Sequence, residues 1–484
     1  MKKALTLLIL LTAFLSGHSQ VGHLPRTTPE SVGIPSRALA RLTDSLMALP
    51  RTALHSLVVL RHGKVAYECY PQPFSAESGH TLYSCSKTFV AAAIGIAIDE
   101  GLLRLDSPVA DFFPMAHRDS VNYRRMTVRH LLTMSSGITP DWNFRNVERL
   151  WTHYWLSKPV AAPGSRFQYD SMCTYLLSAI LQKATGQTTL DYLKDRLFTP
   201  MNITQVGWEE SPKGFNTGGW GLHLQAESLA KFGLLLLQGG KWQGRRLISR
   251  AWVEEMMKPQ IDNGGLGYGY QMWRCEYPGA SRADGAFGQY ILVVPDKDMV
   301  VVITECSAID GVRQRRLVWD HLLPQVKDTL APISDNSNRH FRRLATSRRL
   351  PLPEGKRKAP RHMPRSVTLP LENNAQGWSS LRIERTATGL IFSYQQQGKQ
   401  VRLPMTYGQW TTTRTPVTPP YSIHAQDRFK GIAGPFTVAA GYGFTSDGTL
   451  HLRLHYTNWI TVVDIAIRHL DTPHPSVTIH ENFN

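Results

Sequence analysis

Ser84 and Lys87 stand three residues apart in the run Leu82-Tyr83-Ser84-Cys85-Ser86-Lys87-Thr88-Phe89, so on a helix their side chains share one face. A serine hydroxyl is a poor nucleophile, and a neutral lysine amine can take its proton where burial lowers the lysine pKa. The pair has the parts of an acyl-transfer centre. It needs a helix that starts at the serine, where the positive end of the helix dipole and unpaired backbone N–H groups meet developing negative charge. Residues 87–98, with the helix formers Ala91, Ala92, Ala93 and Ala97 and a closing Gly101, supply such a helix. A serine and lysine at this spacing arise by chance in many chains of this length, so the neighbouring landmarks must decide.

The elements that would hold the pair are legible on both sides. A helical segment at 36–49 precedes two β-branched runs, 56–60 and 65–70, joined by Arg61-His62-Gly63-Lys64 as a hairpin. From about 102 to 260 the pattern is mainly helical, with breaks at Pro108, Pro114, Gly137, Pro163-Gly164, Gly218-Gly219 and Gly239-Gly240. Strand signals return at 268–273, 289–294 and 299–304, followed by a helical segment at 311–322. This order predicts an α/β chain of the α+β kind: an antiparallel sheet flanked by helices, with a helical insertion. The basic, proline-bearing stretch 331–365 reads as a linker. Beyond it, short β-rich runs at 381–384, 389–394, 400–405, 436–439, 450–455 and 459–467 predict a small all-β domain over 366–484, a barrel or a sandwich.

At 484 residues, 42% of them hydrophobic, the chain is long enough for two or three globular domains. The net charge of +17 is uneven. Ten Lys or Arg against the single acid Glu354 lie between Arg339 and Arg365, so one segment carries nine of the net charges. That favours a solvated connector over a nucleic-acid surface. Lys2 and Lys3, the apolar run 4–15 and the small residues Ser16, Gly17 and Ser19 form a signal peptide over 1–19, cleaved before Gln20. Its apolar run is too short to span a bilayer. The expected mature protein, with its catalytic domain at 20–330, is exported, periplasmic or secreted, and not membrane-embedded. Cys69, Cys85, Cys173, Cys275 and Cys306 fit neither a disulfide framework nor a metal site. No cofactor motif is present.

The run around Ser84 resembles the nucleophile motif of the serine β-lactamase and penicillin-binding-protein superfamily, in particular its class C-related esterase and D-peptidase-like branch. The resemblance continues in order through 103–108, through 127–137, through Pro163-Gly164-Ser165-Arg166-Phe167-Gln168-Tyr169-Asp170-Ser171, and through 218–222 and 226–232. It covers about residues 25–325. It implies that Tyr169 is a second acid/base group, its phenolate stabilised near Lys87, which protonates the leaving group. It also implies that Ala283-Asp284-Gly285 takes the place of the family's strand motif. Gly285 would then admit close backbone approach, and the N–H groups of Ser84 and Ala286 would form an oxyanion hole. The same Asp284-Gly285 also reads as a plain hairpin turn. Trp220 and His223 are pocket candidates, although a core Trp and a surface His are the plainer reading.

Two departures bear on substrate. Ser171 stands where many members carry Asn, and Ala283 where penicillin-processing members carry Lys or His. Ser171, Asp284, Gly285 and Trp220 are therefore taken as the substrate-binding set. The resemblance implies a hydrolase of an ester or amide, small molecule or peptide, with cell-wall fragments included. A β-lactamase or D,D-carboxypeptidase is the first alternative, and a non-catalytic receptor of the same fold the second. On the leader, N-terminal sequencing of protein recovered outside the cytoplasm should start near Gln20; a membrane-bound product retaining Met1 would contradict the cleaved-signal expectation.

Overall fold

The computed structural model describes residues 22–113, 121–140, 157, 159–396, 398–420 and 430–482. The expected signal segment 1–19 lies outside them. The principal sheet has six antiparallel strands in the order Lys64–Cys69, Thr52–Arg61, Met299–Ser307, Gln289–Val294, Ser281–Gly285 and Trp273–Arg274. The expected hairpin is present as Thr52–Arg61 paired with Lys64–Cys69. Successive strand side chains point to opposite faces, and both faces of this sheet are apolar. Val58, Leu60, Ile291, Val293, Val300 and Val302 enter one core, which also takes in the nucleophile helix Ser86–Asp99. Leu57, Val59, Leu292, Val294, Val301 and Ile303 enter another, with the helix Ser36–Met47 and the segment Leu317–Leu322. Helices on both faces of an antiparallel sheet are the expected α+β arrangement.

The helix Ser86–Asp99 is buried from Ser86 to Ala97. A helix apolar all round belongs inside a protein rather than on its surface, and here it forms the floor on which Ser84 stands. The strand expected at 268–273 shrinks to Trp273–Arg274. Gln271 has φ +56, and its side-chain amide donates to the carbonyls of Leu131 and Leu132. These tertiary bonds outweigh the local β pattern.

Among the described residues, the C-terminal region holds nine strands in two antiparallel sheets, one over 366–406 and one over 411–481, sharing a core that includes Trp378, Phe392, Leu403, Val438 and Ile465. Three of these strands, Ser366–Pro370, Thr411–Thr415 and Ser476–Glu481, were not among those expected, although each is rich in β-branched residues. The basic stretch differs from the solvated connector read from its composition. Residues Asp335–Ser347 form a helix, with Phe341 against Tyr67 (centroids 5.3 Å apart) and Cys69 Sγ donating to the Ala345 carbonyl at 3.4 Å. The following residues strap onto the β region: Lys356 and Phe444 exchange backbone hydrogen bonds of 2.7 and 2.9 Å, and Tyr407 donates to the Gly355 carbonyl.

Four buried histidines collect where the two regions meet. His80 Nδ1–H donates to the Thr81 carbonyl at 2.7 Å, so its Nε2 accepts from His55 Nδ1–H at 2.8 Å. Phe74 stacks on His55 at 3.7 Å and meets His455 edge-on, while His223 stacks on Trp459. Burial lowers all four: His80 to about 4, His223 and His455 to about 3, and His55 well below its usual value. Each stays neutral in the fold and charges near pH 6.5 when unfolded, so the unfolded chain binds more protons between pH 6.5 and about 4. Stability therefore falls as pH drops through that window, by up to roughly 1.4 kcal/mol per pH unit for each histidine. Buried Glu305, raised to about 8, works in the opposite direction for one proton. The melting temperature should drop steeply from pH 6.5 to 4.5, and His455→Phe should flatten that slope. A melting temperature constant over this range would show that the cluster does not stay neutral.

Candidate active site

Ser84 lies in a tight turn, Tyr83–Cys85, that runs directly into the helix Ser86–Asp99. The turn is strained, because Tyr83 has φ +46, a conformation that side chains other than Gly and Asn adopt at a cost. One turn further on, Lys87 is 1% exposed. Its Nζ donates to Ser84 Oγ at 2.9 Å, to Ser171 Oγ at 3.0 Å and to the Gly219 carbonyl at 2.5 Å. Three acceptors for three protons satisfy the ammonium without a carboxylate in contact. Burial lowers its pKa to about 7, although the charge of nearby Asp170 pulls the other way.

The Gly219 carbonyl reaches Lys87 only because the chain passes very close to Ser171. A Cβ on Gly219 would lie 2.6 Å from the Ser171 carbonyl oxygen. Ser171 begins the helix Ser171–Thr185, whose N-cap Asp170 accepts from Met172 N at 2.8 Å. The cap fixes the turn that holds Tyr169 on one side and Ser171 on the other.

Tyr169 sets its ring beneath the Lys87 ammonium, 5.0 Å from centroid to Nζ, and its hydroxyl hydrogen-bonds with Ser84. Trp273 and Tyr268 pack against it, at 5.3 and 6.3 Å between centroids. Burial pushes the Tyr169 phenol up, and the bond to Ser84 offsets this only in part. The stabilised phenolate implied by the family likeness is not what the geometry favours. Burial thus lowers the Lys87 amine and raises the Tyr169 phenol, which favours the neutral form of each.

The strand Ser281–Gly285 runs beside the nucleophile turn. A Cβ on Gly285 would lie 2.3 Å from the Leu82 carbonyl, and Cys85 Sγ donates to the Gln289 carbonyl at 3.1 Å. Asp284-Gly285 ends a strand beside the nucleophile turn and opens the hairpin to Gln289–Val294. Ala286 is exposed in that hairpin turn.

Other expected substrate residues are placed differently. Trp220 is 5% exposed and lies in the main core, its carbonyl accepting from Trp208 and Thr217. The Asp284 carboxylate turns to Arg282 at 2.7 Å and lies 3.9 Å from Arg315. Ser171 spends its hydroxyl on Lys87. His223 is buried rather than on the surface. The sequence reading missed Gly219 as a lysine acceptor and Tyr268 and Trp273 as the walls around Tyr169. The glycine pair and the aromatic run were visible, but nothing in either pointed to Lys87 or Tyr169.

A model of the β-lactamase family matches residues 39–312, more than half of the sequence. The chain belongs to the β-lactamase family. It is 27% identical over 317 residues to the 6-aminohexanoate-dimer hydrolase of Paenarthrobacter ureafaciens, covering 57% of this chain and 79% of that one. It is 25% identical over 178 residues to a β-lactamase of Yersinia enterocolitica, covering 36% and 42%. Among solved structures, a hydrolase with promiscuous acyltransferase activity superposes with a TM-score of 0.51 at 17% identity, covering 59% of this chain and 99% of that one. This last likeness concerns the fold alone. The chain is a serine hydrolase of the β-lactamase-related type.

If Lys87 acts as the base, kcat/KM should rise with pH through about 7 as its amine loses a proton. Lys87→Ala and Tyr169→Phe should each lower turnover by roughly 10²–10⁴-fold with little change in KM. Near-normal turnover in Tyr169→Phe would remove the phenol from the reaction.

Proposed function

We propose that this exported hydrolase cleaves small, uncharged esters or amides through an acyl-enzyme on Ser84. The observation that carries the reading is the Lys87 amine, buried, close to neutrality and 2.9 Å from Ser84 Oγ. In this reading Lys87 takes the Ser84 proton as Oγ attacks the substrate carbonyl. The negative charge formed on the carbonyl oxygen is met by the N–H groups of Ser84 and Ala286. Tyr169, hydrogen-bonded to Ser84, hands a proton to the leaving alkoxide or amine, and the proton on Lys87 replaces it. Water then attacks the acyl carbonyl as Lys87 takes its proton; the bond to Ser84 Oγ breaks, the proton on Lys87 passes to Oγ, and the free acid leaves.

The charges beside the site favour a neutral substrate. A carboxylate-bearing ligand such as a penicillin gains about 1.5–3 kcal/mol from a charge-assisted hydrogen bond. Ala283 offers none. Arg282 and Arg315 lie nearby, but their charges are balanced by Asp284 and by Glu276, which accepts from Arg315 at 2.7 Å. Ser171, shorter than Asn and committed to Lys87, is poorly placed to hold an acylamino group. Two weakened contacts of this size correspond to about two to four powers of ten in kcat/KM. A relative named for hydrolysing a 6-aminohexanoate dimer supports cleavage outside the β-lactam class, although that dimer carries a carboxylate and an ammonium of its own.

Fluorophosphonate labelling with peptide mapping should place the adduct on Ser84, and Ser84→Ala should abolish it. With Ser84→Ala as blank, a short-chain acyl ester chromogen should be turned over with higher kcat/KM than a chromogenic cephalosporin. An adduct on Ser86 or Ser171 would displace Ser84. A Ser84-dependent preference for the cephalosporin would establish the β-lactamase alternative, and stoichiometric acylation without release would establish the receptor.

A further inference from the structure

The C-terminal β region reaches the catalytic turn through a hairpin tip. Asn458 and Trp459 lie between the strands Leu450–Tyr456 and Val462–Arg468. The Asn458 carbonyl accepts from Thr81 N at 3.3 Å and its side-chain amide donates to the Gly79 carbonyl at 3.2 Å. Its Oδ1 accepts from Thr437 N at 2.9 Å, so the tip is fixed to its own sheet. Trp459 is fully buried, stacked on His223 at 4.7 Å and edge-on to Tyr83 at 6.5 Å. Tyr83 in turn meets Phe287 edge-on at 5.0 Å.

These four rings lie beside the two turns that flank Ser84 and Ala286. Tyr83 immediately precedes Ser84, and Phe287 immediately follows Ala286. Both have positive φ, +46 and +64, so neither backbone turn would be held by its own preference. His223 lies in the strand Leu222–Leu224, where the Leu222 carbonyl accepts from Leu82 N at 2.9 Å and Leu222 N donates to Ser86 Oγ at 3.1 Å. The ring set therefore joins the two strained turns that carry the oxyanion N–H groups to a rigid tip from another sheet.

We propose that Trp459 is a positioning residue for acylation, and that the C-terminal β region serves to hold the Tyr83–Ser84 and Ala286–Phe287 turns in register. The inference rests on Ser84 as nucleophile. Loss of the indole leaves the substrate pocket in place but lets both turns relax toward ordinary backbone angles, which moves Oγ and the N–H groups off the reacting carbonyl. Small misplacements of this kind act on the chemical step rather than on binding.

The test is the rate of fluorophosphonate labelling at Ser84, with kcat and KM on an ester chromogen, in the full chain. Trp459→Leu should slow labelling and kcat by about tenfold or more with KM within about twofold. Trp459→Phe, which keeps a ring, should lose roughly threefold, and it decides alone if the leucine variant does not fold. Trp378→Phe, placed in the core of the same region against Tyr394 (centroids 4.3 Å apart), is the control. It should lower the melting temperature without slowing labelling. Unchanged labelling in the Trp459 variants, or equal slowing in Trp378→Phe, overturns the proposal. A wild-type adduct away from Ser84 instead overturns the nucleophile assignment beneath it.

Discussion

The site depends on one buried amine. Lys87 has given up water for three neutral acceptors, Ser84 Oγ, Ser171 Oγ and the Gly219 carbonyl. Moving a lysine pKa from 10.5 to about 7 corresponds to on the order of 5 kcal/mol against the charged form, a sizeable part of a typical folding stability. The rest of the fold must hold that amine in place. The helix Ser86–Asp99 is apolar all round so that it can sit at the centre. Gly219 lacks a side chain so that its carbonyl can approach, and Asp170 caps the next helix so that Ser171 faces inward. A carboxylate in contact with the amine would have made a stable ion pair and a poor base.

Much of this was legible because it is local. The serine and lysine at helical spacing, the alanine-rich helix behind them and the hairpin before them each follow from short-range pattern, and each is present. What was not legible depends on contacts between distant segments. Gln271 breaks an expected strand through bonds to Leu131 and Leu132, more than a hundred positions earlier. The Asp284 carboxylate is held by Arg282 of its own strand, while Arg315, which also lies near it, comes from another element. Tyr169 was found through family likeness, but the upward push on its phenol comes from its packing against Tyr268 and Trp273, which no spacing records.

The basic stretch makes the same point for organisation. Ten cations and several prolines read as a solvated connector, and composition alone supports nothing else. The helix Asp335–Ser347 exists because Phe341 and Ala345 fall on one face and find Tyr67 and Cys69. The strap after it is held largely by main-chain bonds to Phe444 and by the Tyr407 hydroxyl, interactions without a side-chain signature at the strap itself. Charge dictated exposure there, while the backbone dictated order.

All five cysteines are free and buried. Burial pushes the Cys69, Cys85, Cys275 and Cys306 thiols up, so little thiolate is present to exchange or oxidise. The structure contains no disulfide, so forming it requires neither an oxidant nor disulfide shuffling. For a chain read as crossing a membrane before it matures, the place of folding imposes no covalent requirement on the product.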